Sequence, residues 1–196
     1  HHLRASLRVK PGESLWLTDE QRRRYHVQVS QLARQGLTVR ILERREGPAE
    51  TGPSLLLAQA LLKGDHMDWV LQKASELGVR TILPLISQHG VVRPQAGRLA
   101  AQLSRWQRIA TEAAQQSEQW QPPLVLEPLD SRRFFTALPA TCALILAERR
   151  EAIGLSKVPL PTQPTESLAL IIGPEGAETA AVTAVGIVQS RLGRLG

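Results

Sequence analysis

Leu168-Ala169-Leu170-Ile171-Ile172-Gly173-Pro174-Glu175-Gly176 is the stretch on which the fold turns. An unbroken apolar run of this length suits a strand covered on both faces, as in a parallel sheet. The run stops at Gly-Pro-Glu-Gly, so a loop leaves the carboxyl end of that strand, the edge where open α/β sheets place their ligands. Glycine lets backbone approach a ligand closely, proline stiffens the loop, and Glu175 offers a hydrogen-bond acceptor. A plain turn uses the same residues. The stretch alone leaves both readings open.

Outward from it, similar runs recur. Leu55-Leu56-Leu57-Ala58-Gln59-Ala60, Thr81-Ile82-Leu83-Pro84-Leu85 and Cys142 to Ala147 read as buried strands, and Pro123 to Leu126 as a shorter one. Between the first two, Met67, Val70, Leu71, Ala74 and Leu77 recur at helical spacing, with Asp65 placed to cap the start and Gly78 to stop the helix. Strand, helix, strand within about 30 residues predicts a right-handed, parallel βαβ unit. A long helix is predicted from about Arg98 to Ser117, with a stripe of Leu99, Leu103, Trp106, Ile109, Ala110 and Ala113. A closing helix is predicted on Ala181, Val185, Val188, Leu192 and Leu195. These elements define an α/β domain over residues 54–196.

The first 53 residues read differently. Ser14 to Thr18, Tyr25 to Ser30 and Leu37 to Leu42 alternate, separated by turn signals at Lys10-Pro11-Gly12-Glu13 and Arg34-Gln35-Gly36. Short alternating strands predict a small barrel or sandwich. The Pro/Gly-rich stretch Glu46 to Pro53 marks the boundary between the two domains. Arg4, Arg8, Lys10, Arg22, Arg23 and Arg24 concentrate positive charge in this part, as candidate RNA-binding residues or as a solvated face.

Over all 196 residues the formal charge is +6, with a pI near 10.4. A basic excess favours a polyanionic partner, because Lys and Arg contacts to phosphates release counterions. Aromatics are only 4%, which argues against a broad base-stacking platform and for shape and phosphate recognition. No apolar run approaches the ~20 residues of a membrane span, and no signal peptide is recognisable. A single cysteine, Cys142, excludes a disulfide framework and fits a reducing, cytoplasmic setting.

Several chemistries are excluded by their missing patterns. Lys63-Gly64-Asp65-His66-Met67-Asp68 opens a helix and offers an anion-binding N-terminus, yet the chain has neither G-x-x-x-x-G-K-[ST] nor G-x-G-x-x-G. Lys73 and Glu76 share that helix with Asp68, and an exposed face explains them equally well. The histidines (His1, His2, His26, His66, His89) lack paired metal spacing, and no Ser-His-Asp triad or nucleophilic cysteine is evident. Glu112, Gln115, Gln116 and Ser117 end the long helix as a polar group or as a solvated end. What remains is chemistry that a bound cofactor drives by positioning.

Taken together, KGDHMDWVLQKASELGV (Lys63 to Val79), RWQRIATEAAQQS (Arg105 to Ser117) and IIGPEG (Ile171 to Gly176) resemble the bacterial 16S rRNA (uracil-N3)-methyltransferases. The likeness extends to HHLRASLRVKPGE at the start, which favours His1 and His2 as native rather than tag residues, and to ETAAVTAVGIVQSRLGRLG at the end. The resemblance implies a PUA-like N-terminal barrel over residues 1–53 and a SPOUT-class methyltransferase domain over 54–196 with a C-terminal trefoil knot. It implies S-adenosylmethionine as cofactor, a homodimer, and a uridine of small-subunit rRNA as substrate. By motif match, Leu146, Ala147 and Glu148 end one cofactor-lining strand, and Ile172, Gly173, Pro174, Glu175 and Gly176 form the next cofactor loop. Glu112 is a candidate general base by position only.

The chain departs from the family in two places. Relatives carry roughly 25 to 30 residues between the GPEG loop and the ETAA helix, including a strand and a Gly-Pro-Arg-x-Leu-Arg loop; here Gly176 is followed at once by Ala177-Glu178-Thr179. The expectation is that those residues exist and are missing from the chain as given. Relatives also have Gln-Ser-x-Arg where this chain has Gln116-Ser117-Glu118-Gln119. A non-catalytic RNA-binding or ribosome-assembly protein with the same fold is the competing expectation; an enzyme using another adenine cofactor is a more distant one.

Overall fold

A computed structural model describes residues 9–19, 21–33, 36–87, 92–94, 96–136, 142–147, 155–173 and 184–187. The chain divides into two compact units, His1–Ala49 and Glu50–Gly196.

In the first unit the alternating segments form strands β1 (Ser14–Thr18), β2 (Arg23–Leu32) and β3 (Leu37–Glu46), paired antiparallel in that order. Alternation sends Val27 and Val29 of β2 into the interior, where both are buried. The turn between β1 and β2 is tied by Asp19. Its carboxylate accepts from the backbone N–H groups of Gln21 (2.8 Å) and Arg23 (3.0 Å), from the Arg23 guanidinium (2.7 Å) and from the Tyr25 hydroxyl (3.1 Å). Partial burial pushes this carboxyl upward, but those four donors outweigh it and hold the pKa at about 2.

The second unit assembles the continuous apolar runs side by side. Its elements are β4 (Ser54–Ala60), α1 (His66–Glu76), β5 (Thr81–Ile86), α2 (Leu99–Gln116), β6 (Leu124–Val125), β7 (Leu129–Asp130), α3 (Ser131–Thr136), β8 (Cys142–Ala147), β9 (Ser167–Ile172) and β10 (Ala184–Ile187). The sheet order is β10-β8-β9-β4-β5-β6, with β7 also on β5; β10 pairs antiparallel to β8 and every other pairing is parallel. Central β4 shows why its run is unbroken. Leu57 packs with Leu71, Ile82, Trp106 and Ala110 on one face, while Leu56 and Ala58 pack with Leu83, Phe134, Ala143 and Ala169 on the other. Among the described residues, no helix is long and apolar enough to cross a membrane.

Three local expectations need correction. Asp65 is the N-cap residue of α1, but its side chain makes no capping hydrogen bond, since its own backbone is already helical (φ −82°, ψ −2°). Leu77 does not continue the apolar stripe. It is the C-cap residue, 79% exposed, and Gly78 with φ +80° turns the chain away from the helix there. Val185, expected on a closing helix, lies in strand β10 opposite Leu146. The β-branched Val185 and Ile187 suit a strand, and pairing satisfies the edge of β8 that would otherwise be open. The other residues of that expected stripe lie outside the described residues.

Candidate active site at the carboxyl edge of the parallel sheet

Parallel strands share a direction, so β4, β5, β8 and β9 all end at one edge. Their register lines up Leu146, Ile172, Gln59 and Pro84 as one row across four strands. Leu144 and Ile171, just inside this row, are buried, whereas Leu146, Ile172 and the following Gly173 are partly exposed. Adjacent strand ends thus present partly exposed apolar side chains at this edge, next to the backbone of Gly173. That combination suits a nucleoside-like group, which needs an apolar slot and a few fixed polar atoms.

Gln59 is the polar member of the row, and sequence reading passed over it as part of an apolar run. It is 3% exposed, and its Nε2 donates to the Ala60 carbonyl at 3.1 Å. A buried amide among leucines is the signal that would have singled it out. At the same edge Leu61 N–H donates to the Leu85 carbonyl (2.9 Å), and the chain turns through Lys63 and Gly64 (φ +57°) into α1. Lys63 and the first residues of α1 therefore face the same side of the sheet as the strand ends.

Ala147 ends β8 beside this row. Glu148, Pro174, Glu175 and Gly176 lie outside the described residues, as do Arg4 and Arg8. The polypeptide itself runs unbroken from Gly176 through Ala177 to Glu178. The expectation of a further segment between the two motifs falls on residues outside the described ones; in the sequence as given the motifs are directly joined.

Glu112 is not brought to this edge. Helix α2 runs antiparallel to the strands, because it connects the carboxyl end of β5 to the amino end of β6. Gln107 already sits level with the start of the strands, donating from Nε2 to the Pro123 carbonyl (2.8 Å) and accepting from Val125 N–H (3.0 Å). Glu112 is more than a turn further on and exposed, with the Arg108 Nε at 4.0 Å from its carboxylate. Beyond it, Gln119 donates from Nε2 to the carbonyl of Glu76 (2.8 Å). Gln119 thus ties the end of α2 to the end of α1.

Several of the other candidate side chains have structural partners. Lys73 pairs with Glu76 at 2.8 Å, and that hydrogen bond holds the Glu76 carboxyl below the usual range. Cys142 is buried, which raises its thiol pKa and suits a packing role rather than a nucleophile. In the first unit Arg23 is held by Asp19, Arg22 donates to the Pro48 carbonyl (2.9 Å), Arg24 lies opposite Arg45, and Lys10 begins the turn before β1, where its backbone N–H donates to Glu13 (2.8 Å).

The family model described as an RNA methyltransferase domain matches residues 50–194. The chain is similar to the ribosomal RNA small subunit methyltransferase E of Synechocystis, 32% identical over 182 residues that cover 91% of this chain and 58% of that relative. The protein of the same description from Mycobacterium tuberculosis is 29% identical over 200 residues, covering 98% and 75%. Among solved structures, a Legionella pneumophila methyltransferase in complex with SAM superimposes with a TM-score of 0.79 at 31% identity, covering 89% of this chain and 71% of that one. The ribosomal RNA small subunit methyltransferase E of Neisseria gonorrhoeae, bound to S-adenosyl methionine, gives 0.76 at 32% identity, covering 91% and 72%.

Proposed function

This chain belongs to the RNA methyltransferase domain family, and from that premise we propose that it methylates N3 of a specific uridine in 16S rRNA, using S-adenosylmethionine. The observation that carries the reading is the row Leu146–Ile172–Gln59 at the carboxyl edge, which leads directly into Gly173-Pro174-Glu175-Gly176. The names of relatives similar over nearly the whole of this chain support the RNA substrate, and two SAM-bound structures support the cofactor.

The cofactor supplies a sulfonium-bound methyl group. What the chain supplies is position and exclusion of water. In this reading Leu146 and Ile172 cover the adenosyl part, Ala147 and Glu148 add contacts beside it, and the backbone from Gly173 to Gly176 offers the close polar contacts. N3 of uridine carries a proton and attacks poorly until that proton leaves. The resulting anion spreads over N3, O2 and O4 and needs cationic or N–H donors beside it; Lys63 and the start of α1 are at the right edge. N3 lies on the pairing edge of the base, so the target uridine must be unpaired or extruded.

The same reading includes a PUA-like barrel for the first unit, RNA contacts through Arg4, Arg8, Lys10, Arg22, Arg23 and Arg24, a trefoil knot in the second unit, a homodimer and a cytoplasmic setting. Light scattering in solution tests the homodimer. One observation favours a second reading, a non-catalytic RNA-binding or ribosome-assembly role: the direct junction of Gly176 with Ala177-Glu178, which leaves no room for the loop that relatives carry there. Calorimetric titration with S-adenosylmethionine separates the two. Binding followed by appearance of N3-methyluridine in treated rRNA, read by mass spectrometry, establishes the enzyme; absence of binding leaves the non-catalytic role.

A further inference from the structure

The basic character of the chain is not evenly spread. Residues 1–49 hold ten Lys and Arg against five Asp and Glu, while the remainder holds 14 against 13. Nearly all the net charge therefore belongs to the first unit. Within it, alternation puts Arg24, His26 and Gln28 of β2 on the face opposite buried Val27 and Val29. Register adds Trp16 of β1 beside His26, and Arg45, Glu43 and Arg40 of β3 beside Arg24, His26 and Gln28.

On this outer face the Trp16 and His26 rings stack with centroids 5.0 Å apart and planes 20° apart. The Arg45 guanidinium reaches across to lie 4.7 Å from the Trp16 ring centre. Trp16 is nevertheless 44% exposed. A lone exposed apolar residue needs no explanation, but an indole held in place by a ring neighbour and a cation, on the most basic part of the chain, has the makings of a base-stacking seat. Arg40 donates to Gln28 Oε1 (3.0 Å) and Arg45 to both oxygens of Glu43. These exposed pairings can be exchanged for phosphate at little cost, since surface ion pairs contribute ~1 kcal/mol or less.

We propose that the outer face of the β1-β2-β3 sheet binds an unpaired RNA strand, with one nucleobase stacked on Trp16 and adjacent phosphates on Arg24, Arg40 and Arg45. The proposal rests on RNA as the substrate and specifies which form of it this face takes. Duplex RNA offers no free base face, so single strands are preferred. A base-selective hydrogen-bond code is not required, because every base has a π-face.

The test uses the full chain and fluorescein-labelled oligouridylate of about a dozen nucleotides, with an RNA duplex of the same length as comparison, read by fluorescence anisotropy over a range of KCl. Trp16→Ala weakens single-strand binding by about five-fold or more, at the lower end of what base–aromatic stacking contributes. It leaves the salt slope unchanged, because no phosphate contact is lost. Trp16→Leu, which keeps apolar bulk without a π-face, shows the same loss, and Trp16→Phe restores most of the affinity. Arg45→Gln instead reduces the salt slope by about 0.7. Single-strand affinity within two-fold of the parent for both Trp16→Ala and Trp16→Leu, or equal losses on single strand and duplex, overturns the proposal. Stacking with no S-adenosylmethionine binding would defeat the methyltransferase reading alone, whereas cofactor binding with an inert Trp16 would defeat only this one.

Discussion

Asp68, in the first turn of α1, accepts both terminal guanidinium nitrogens of Arg105 on α2, 37 residues later in the chain. The pair joins two helices that cover the same face of the sheet as Leu57 and Ile82. Its planar, two-point geometry is the arrangement that arginine makes best. Arg105 is half exposed, however, so solvent screens the pair and its contribution is small. Arg105→Ala should lower stability by about 0.5–1 kcal/mol, visible as a drop in Tm of a few degrees by calorimetry. A loss several times larger would mean that the pair, rather than the apolar contacts beneath it, aligns the helices.

Leu71 and Leu77 provide a contrast within one helix. Leu71 is fully buried against the sheet, whereas Leu77 projects into solvent at the C-cap. Leu71→Ala should cost about 2–5 kcal/mol through lost burial and the cavity left behind. Leu77→Ala should change stability by no more than about 0.5 kcal/mol. Urea unfolding of both variants checks the pair; similar costs would contradict the burial described here.

Asp19 sets a pH dependence for the first unit. Its folded pKa, about 2, lies below the ordinary 3.8. A depressed carboxyl stabilises the fold above its unfolded pKa and loses that stabilisation as pH falls through the folded value. Stability should therefore decline from about pH 4 down to pH 2, and Asp19→Asn should remove this part of the acid dependence. Unfolding of the parent and of Asp19→Asn followed by circular dichroism between pH 2 and 6 measures it. An unchanged acid profile in Asp19→Asn would show that other carboxyls dominate.

Gly173 and Glu112 test the location of the site. Gly173→Val places a branched side chain at the loop leaving β9 and should abolish detectable S-adenosylmethionine binding while leaving the far-ultraviolet circular dichroism unchanged. Glu112→Gln, toward the amino edge, should leave cofactor affinity and methyl transfer within two-fold of the parent. Loss of turnover in Glu112→Gln with intact cofactor binding would restore it as the general base.

Gln119 tests whether the tie between the ends of α2 and α1 is purely structural. Its amide donates to the final carbonyl of α1. Gln119→Ala removes one partly buried hydrogen bond, worth about 0.5–1.5 kcal/mol, and should leave S-adenosylmethionine affinity unchanged by calorimetry.

Much of the architecture was legible in periodicity. The unbroken runs ending at Ala60, Leu85, Ala147 and Ile172 determined a parallel sheet, because only a strand covered on both faces is apolar at every position. The stripe Leu99 to Ala113 determined the long helix, and the change from alternating to continuous runs marked two regions of different construction. The end of the run at Ile172 marked the carboxyl edge of that sheet. Other features depended on contacts between distant segments, which one-dimensional patterns do not encode. Register alone set Gln59 between Ile172 and Pro84 and put a buried polar residue in the row of strand ends at that edge. The antiparallel course of α2 carried Glu112 away from that edge, although its motif suggested otherwise. Val185 left a helical pattern for a strand because the open edge of β8 offered hydrogen bonds that local propensity could not foresee. Trp16, His26 and Arg45, on three different strands, came together only through the pairing of the sheet.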